Sequence, residues 1–413
     1  MRGPAIDRNL VLVSLALMLF GLATLYSAGQ TDVPTRAAGM WERQIVWFGV
    51  GIVACWIVYN ISLRVLEWVA PALYAFSILL LGIVLVVGTG AGTAESSHSW
   101  LSIGGHQIGQ PSELAKVATV LMLARFLSSR KEAPRSLWDL IGPALIVGVP
   151  FLLVLKQPDL GSALVFVGVF FAMLFWSGVR PRLLFLLATP GISLFLAFNT
   201  LAWSAWIIVF VLILIAWRPY VWDWTTFLTL NVAMGAIAMP LWTRLAPYQQ
   251  NRLLTFLNPE ADPRAAGYHA IQSRVAIGSG GWFGTGYTEG PQKRLAFLPE
   301  QHTDFVFSVV GEELGFLGVV VALALFLALF LVLLRIARRA TDPFSSLAVF
   351  GIVGLFFTHV FENVGMTVNL MPITGIPLPL FSYGGSFFII CSLCLGVALR
   401  VAYDSRSSGY LDT

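Results

Sequence analysis

In LPEQHTDFVF, residues 298–307, a carboxylate stands where the mixed segment 244–306 gives way to a long apolar run. That residue is Asp304, with Glu300 and His302 beside it. Carboxylates that lose part of their hydration accept protons closer to neutral pH, and a general base acting on a hydroxyl needs that property. The competing reading is structural: Thr303 or Asp304 caps the helix that starts at Phe305. The residues alone leave both open.

Other charges interrupt apolar segments. Glu113 and Lys116 lie three apart in PSELAKVATVLMLA, hence on one helix face where they can pair. Lys156 and Asp159 flank the turn LKQPDLG, and Glu312 and Glu313 fall early in the run after Asp304. Each such charge costs about 2.5–3.5 kcal/mol in a membrane helix, so it faces a cavity or a partner. The group therefore reads either as a polar cavity opening on one side or as ion pairs that lock helices together. Arg252, Arg264, Arg274, Lys293 and Arg294 in segment 244–306 could hold phosphate, or simply be solvated. Gly278, Gly280, Gly281, Gly284 and Gly286 form either a close-packed turn or an anion cradle. His98, His106, His269 and His302 lack metal-ligand spacing, and His359 reads as a core histidine with a hydrogen-bond partner. CSLC at Cys391 and Cys394 sits in an apolar run and reads as packing.

The elements that position these residues are helices. Of 413 residues 57% are hydrophobic and 11% charged, with mean hydropathy +0.81. Apolar segments recur at 10–28, 44–62, 67–88, 112–128, 138–155, 160–178, 182–199, 202–217, 224–243, 307–334, 344–366 and 378–402. The first follows only Arg2 and Arg8 and reads as a span, since no small-residue cleavage pattern follows it. The expected fold is an all-α polytopic membrane protein, a bundle of transmembrane helices forming a single domain over 1–413. Segment 244–306 is its large structured loop, with an amphipathic interfacial helix over AGYHAIQSRVAIGSGG that sets Ile271, Val275 and Gly278 on one side. Lysine and arginine set the orientation. With the N-terminus cytoplasmic, the short cytoplasmic segments hold fifteen of them and the short outer ones only Arg36 and Arg43. Both termini are then cytoplasmic and 244–306 is extracytoplasmic. The net charge of +4 follows from this topology and needs no nucleic acid.

Six motifs in order complete the pattern: QPSELAK (110–116), KQPDLGSAL (156–164), NPEADPRAAGYHAIQS (258–273), FLPEQHTDFVF (297–307), EELGFLG (312–318) and NVGMTVNLMPITGIPLPLFSYGGS (363–386). Together they resemble the SEDS family, the shape, elongation, division and sporulation proteins, and its elongation members more than its division members. The resemblance implies a peptidoglycan glycosyltransferase of the cytoplasmic membrane that polymerises lipid II on the outer face, with undecaprenyl diphosphate as leaving group. It places the family's required aspartate at Asp304, its Glu/Lys pair at Glu113 and Lys116, its QPDLG aspartate at Asp159 and its YQxxR arginine at Arg252. His302, Lys293, Trp100, Ser382 and Tyr383 complete the substrate-binding candidates. A divalent cation, Mg²⁺ or Mn²⁺, is a candidate cofactor. A class B penicillin-binding protein, a transpeptidase, is the implied partner.

Two departures stand out. Ser99 replaces an arginine that family members usually carry before the tryptophan matched by Trp100. The family usually has ten spans, so 202–243 has room for a two-helix insertion, giving ten to twelve in all. Two other functions fit a cavity with intramembrane charges: a lipid II flippase, and a non-catalytic scaffold for a cell-wall synthase.

Overall fold

Apolar runs that must satisfy their own backbone polar groups fold as helices. The computed structural model describes residues 6–88, 99–103, 106–217, 221–245, 247–261, 267–298 and 300–408. In chain order it contains α1 (Arg8–Ala28), α2 (Met40–Asn60), α3 (Leu63–Val87), β1 (Leu101–Ile103), β2 (His106–Gly109), α4 (Pro111–Ser128), α5 (Leu137–Lys156) and α6 (Leu160–Trp176). Then follow α7 (Pro181–Leu196), α8 (Thr200–Trp217), α9 (Val221–Arg244), α10 (Pro247–Leu257), α11 (Tyr268–Ser279), α12 (Pro291–Arg294), α13 (Val306–Arg339), α14 (Pro343–Thr367) and α15 (Gly385–Ser408). The β1–β2 hairpin, in which Leu101 faces Gly109, is too short to be read from alternation.

Among the described residues nine helices are long and apolar enough to cross a membrane. α4 has 18 residues but carries Glu113, Lys116 and Arg125, and α6 and α7 are shorter, at 17 and 16 residues. These twelve occupy the twelve apolar segments. The largest boundary difference is at the end: α15 starts at Gly385, not near 378. Pro377, Pro379 and a left-handed Leu380 (φ 62°) keep 371–384 as a non-helical strap between α14 and α15.

α13 is not one continuous rod. Gly315 adopts φ 63°, ψ −159° and breaks it. The backbone groups freed by the break find partners in loop 280–286. Thr285 N donates to Glu312 O (2.9 Å), Gly286 N to Glu313 O (3.2 Å), Phe316 N to Gly281 O (2.9 Å) and Leu317 N to Trp282 O (3.2 Å). Such a close approach requires glycine: a Cβ on Gly284 (φ 84°) would stand 1.9 Å from Glu313 O. The glycine-rich turn is therefore a packing device, which resolves the two readings the sequence allowed. Past the break, Phe316–Arg339 is about 36 Å of helix, enough to span by itself.

α11 is the expected loop helix, with a different inward face. Ala270, Ser273 and Ala276 are buried, whereas Val275 and Gly278 are exposed. Ser273 Oγ donates to Thr367 O at 2.7 Å, so small residues seat the helix against α13 and α14. α8 meets α7 through Trp203 Nε1, which donates to Ser193 Oγ (2.9 Å), and α9 is joined to α7 by buried polar groups. Asn231 Nδ2 donates to Thr189 Oγ1 (2.9 Å), and Ser193 Oγ donates to Asn231 O (2.7 Å). At the opposite end of the bundle from Asp304, Asp7 caps α1 through Leu10 N (3.1 Å) and pairs with Arg335 (2.9 Å) and Arg406 (2.5 Å).

Candidate active site

Asp304 lies in a run of turns whose common acceptor is Glu300 O, reached by Thr303 N (3.1 Å), Asp304 N (3.2 Å) and Phe305 N (3.3 Å). The N-cap of α13 is Phe305, which offers no side-chain acceptor. Asp304 is thus not a helix cap, and it is half-buried rather than enclosed.

Its position is fixed through the backbone. Tyr383 N donates to His302 O (3.0 Å), Ser382 Oγ to Thr303 O (2.8 Å) and Asn363 Nδ2 to Asp304 O (2.9 Å). Three consecutive carbonyls are thereby clamped by the strap and by α14. Asn363 Nδ2 also donates to Ile376 O (2.7 Å), and Leu378 N donates to Ser382 Oγ (2.9 Å), so the clamp is itself held. The carboxylate rests over Gly375 (φ 71°), where a Cβ would stand 3.2 Å from Asp304 Oδ2. Fixing a reactive group in this way removes orientational freedom before substrate arrives.

A buried charged cluster lies behind the strap. Lys116 is 3% exposed, and its Nζ is 3.3 Å from His359 Nε2. Glu113, Asp159 and Glu362 surround it within electrostatic range. Glu113 and Lys116 do share a helix face, but the ammonium's hydrogen-bond contact is the imidazole of α14. Ser386 on α15 bonds to Glu113. Asp159 caps α6 through Ser162 N (3.0 Å) and accepts from Gln110 Nε2 (2.6 Å). The strap closes the cluster: Thr374 and Ile376 pack on Gly161 at the start of α6. Lys156, by contrast, is exposed.

Other sequence candidates take different roles. Lys293 is fully buried, paired with Glu313 at 2.6 Å and donating to Ser27 O (3.0 Å) and Ser27 Oγ (3.1 Å). Its ammonium is committed to a buried ion pair and two hydrogen bonds inside the protein, so the expectation that it binds phosphate is corrected. Ser27 Oγ also donates to Glu313. Glu312 accepts from Gln292 N (2.6 Å) and Lys293 N (3.3 Å), which seats α12. Glu312 and Glu313 are locks between loop, α1 and α13. Ser382 and Tyr383 reach the site as backbone clamps, and with its hydroxyl spent in the turn Ser382 is corrected from substrate contact to positioning. Trp100 is half-buried just before β1, and Ser99 is buried. Arg252 lies on α10 with its side chain outside the described residues, as are His98 and Arg264. Two cavities of about 270 and 300 Å³ flank Arg130 and Arg335, away from Asp304.

His302 is 7% exposed, with Nε2 3.7 Å from Glu300 Oε2. Burial lowers its pKa below the ordinary 6.5, with Glu300 raising it and Arg36 lowering it further. A buried base whose folded pKa is depressed leaves stability unaffected above the unfolded value. Stability then falls as pH drops through 6.5 toward the folded value, because the unfolded chain takes the proton first. Thermal midpoints in detergent will therefore decline on acidification below about pH 6.5, and His302→Gln will flatten that limb. An unchanged limb in His302→Gln would assign it to another group.

The sequence reading missed Asn363, Gly375 and Glu362 as members of this site. The signal was available for two of them: Glu362 and Asn363, with His359, are polar groups in an otherwise apolar span. Gly375 gave none, because its role rests on a contact with a residue 71 positions away.

The model of the FtsW/RodA/SpoVE family, described as cell cycle protein, matches residues 7–206 and 200–407. The chain belongs to this family. Among the family's curated members, the peptidoglycan glycosyltransferase MrdB of Escherichia coli K12 is 36% identical over 396 residues, covering 96% of this chain and 93% of its own. The peptidoglycan glycosyltransferase RodA of Treponema pallidum is also 36% identical, covering 96% and 97%. Among solved structures, a chain of a peptidoglycan synthase complex that coordinates polymerization and crosslinking is similar at TM-score 0.70 and 31% identity, covering 97% of this chain and 98% of its own. The rod shape determining protein RodA of Thermus thermophilus is similar at TM-score 0.63 and 30% identity, covering 97% of each. The expectations of an all-α, multi-pass membrane protein and of this family hold.

Proposed function

We propose that this protein is a peptidoglycan glycosyltransferase that polymerises glycan strands from lipid II in cell elongation and shape control. The observation that carries the reading is the clamped Asp304 beside the Lys116 cluster. Relatives named for this activity support it, as does the charge asymmetry that puts Asp304 on the extracytoplasmic side with both termini cytoplasmic.

The reaction requires a hydroxyl of the acceptor disaccharide to attack the anomeric carbon of the donor. The C–O bond to undecaprenyl diphosphate breaks as the glycosidic bond forms, inverting that centre. Asp304 takes the proton from the attacking hydroxyl, a contribution worth roughly 10²–10⁴-fold. Lys116, buried behind the strap, acts on the leaving diphosphate through its field and not by contact. Among the described residues no three His, Cys, Asp or Glu side chains converge as a metal site. A Mg²⁺ or Mn²⁺ ion would instead be held by the diphosphate oxygens with one or two carboxylates, and Lys116 adds protein charge to it. The partner in this reading is a class B penicillin-binding protein, whose transpeptidase crosslinks the strand.

The rival is a lipid II flippase. Purified protein in detergent micelles, given lipid II alone, separates the two, because a micelle has no second leaflet to translocate to. Glycan strands on a gel are the expected result. Unreacted lipid II, together with movement of a labelled lipid II between leaflets of proteoliposomes, would favour the transporter.

A further inference from the structure

His359 joins the two halves of the site, and its hydrogen bonds determine how. It is completely buried, and its ring stacks on Phe387 at 4.7 Å. Nδ1 lies 3.1 Å from Pro377 O on the strap. A carbonyl oxygen only accepts, so Nδ1 carries the hydrogen. Nε2 lies 3.3 Å from Lys116 Nζ on α4. An ammonium only donates, so Nε2 presents its lone pair. The ring is therefore the neutral Nδ1–H tautomer, holding a lysine with one nitrogen and the strap with the other.

One turn along the same face of α14, Asn363 bonds to Ile376 O and Asp304 O. Adjacent strap residues are thus tied to α14 by two side chains, one leading to Lys116 and the other to Asp304. We propose that His359 is a positioning residue for glycosyl transfer: its Nε2 fixes the direction of the Lys116 ammonium whose field acts on the leaving diphosphate, and its Nδ1–H locks the strap that clamps the segment bearing Asp304. The inference rests on the polymerase reading above. It assigns a function to a histidine that the sequence presents only as a core residue.

The balance of charge at Lys116 gives the reason for an imidazole here. Glu113, Asp159 and Glu362 all draw on one ammonium. Without a fixed acceptor the flexible four-carbon stem would follow whichever carboxylate is nearest. A neutral acceptor directs one N–H without neutralising the charge that the diphosphate needs.

The test compares two substitutions in lipid II polymerisation by the purified protein. His359→Phe keeps the ring and its stacking on Phe387 but has no acceptor for Lys116 and no donor for Pro377. Its kcat should fall about 10- to 100-fold with a smaller change in KM, the effect of losing a hydrogen bond to a charged group. His359→Gln can accept at Oε1 and donate from Nε2, and should recover most of what phenylalanine loses. Equal losses in both variants, or none in phenylalanine, would overturn the proposal. Nitrogen-15 shifts of labelled histidines, with the His359 signals assigned by their absence from His359→Gln, read the tautomer without a disruptive variant. A protonated Nε2 in the parent protein would also overturn it. If the parent protein makes no strands, the polymerase reading fails, while the nitrogen shifts still decide the tautomer.

Discussion

Asp304→Asn protein will polymerise lipid II roughly 10²–10⁴-fold more slowly than its parent while folding normally. Folding is preserved because the groups that fix this segment are carbonyls: His302 O, Thr303 O and Asp304 O accept from Tyr383, Ser382 and Asn363. None of these bonds uses the carboxylate. Asparagine has nearly the same shape, so it fits over Gly375 as the acid does. It lacks the negative charge and, with it, the capacity to take a proton from the attacking hydroxyl. Monodisperse protein with an unchanged thermal midpoint and a lost rate is the expected pair of readouts. An Asp304→Asn protein that turns over at the parent rate would remove the general base from the mechanism.

Lys293→Met is expected to act on stability instead of catalysis. The substitution keeps most of the chain's length but leaves Glu313, 2% exposed, without its ion pair and Ser27 O without its donor. Breaking one partner of a buried pair costs about 3–5 kcal/mol, because the remaining charge is uncompensated. The loss will appear as a lower unfolding midpoint in detergent. The double variant Lys293→Met, Glu313→Leu should regain most of it, since an apolar pair removes the stranded charge. A stable Lys293→Met protein with a raised KM for lipid II would return this lysine to the substrate site.

The comparison of these two residues shows what the sequence made legible. Asp304 and Lys293 both stood in segment 244–306 as charges near a membrane boundary. Asp304 stands just before an apolar helix, as its sequence position indicates, because its distance from the start of an apolar run is a local property. The sequence reading misplaced Lys293, whose partners Ser27 and Glu313 lie 266 and 20 positions away in opposite directions along the chain. The helices were legible for the same reason that Asp304 was: hydropathy over one span is local, and twelve segments became twelve helices. The strap was not. Its apolar residues imitate the start of α15, and the prolines at 372, 377 and 379 with the glycines at 375 and 384 argue otherwise. The break at Gly315 was equally hidden, because it depends on backbone groups of loop 280–286 arriving to satisfy it. Lys116 shows the intermediate case. Its spacing from Glu113 predicted a shared helix face, which is present, but the contact that orients it comes from α14.

The most direct measurement is a structure of the protein with a bound lipid II analogue as acceptor. A general base must sit within about 2.6–3.2 Å of the proton-bearing oxygen, or one water away. The acceptor hydroxyl is predicted to lie at that distance from a carboxylate oxygen of Asp304, with the donor diphosphate on the Lys116 side. A hydroxyl held instead by Asp159 or Glu113, with Asp304 turned away from the sugar, would contradict the account.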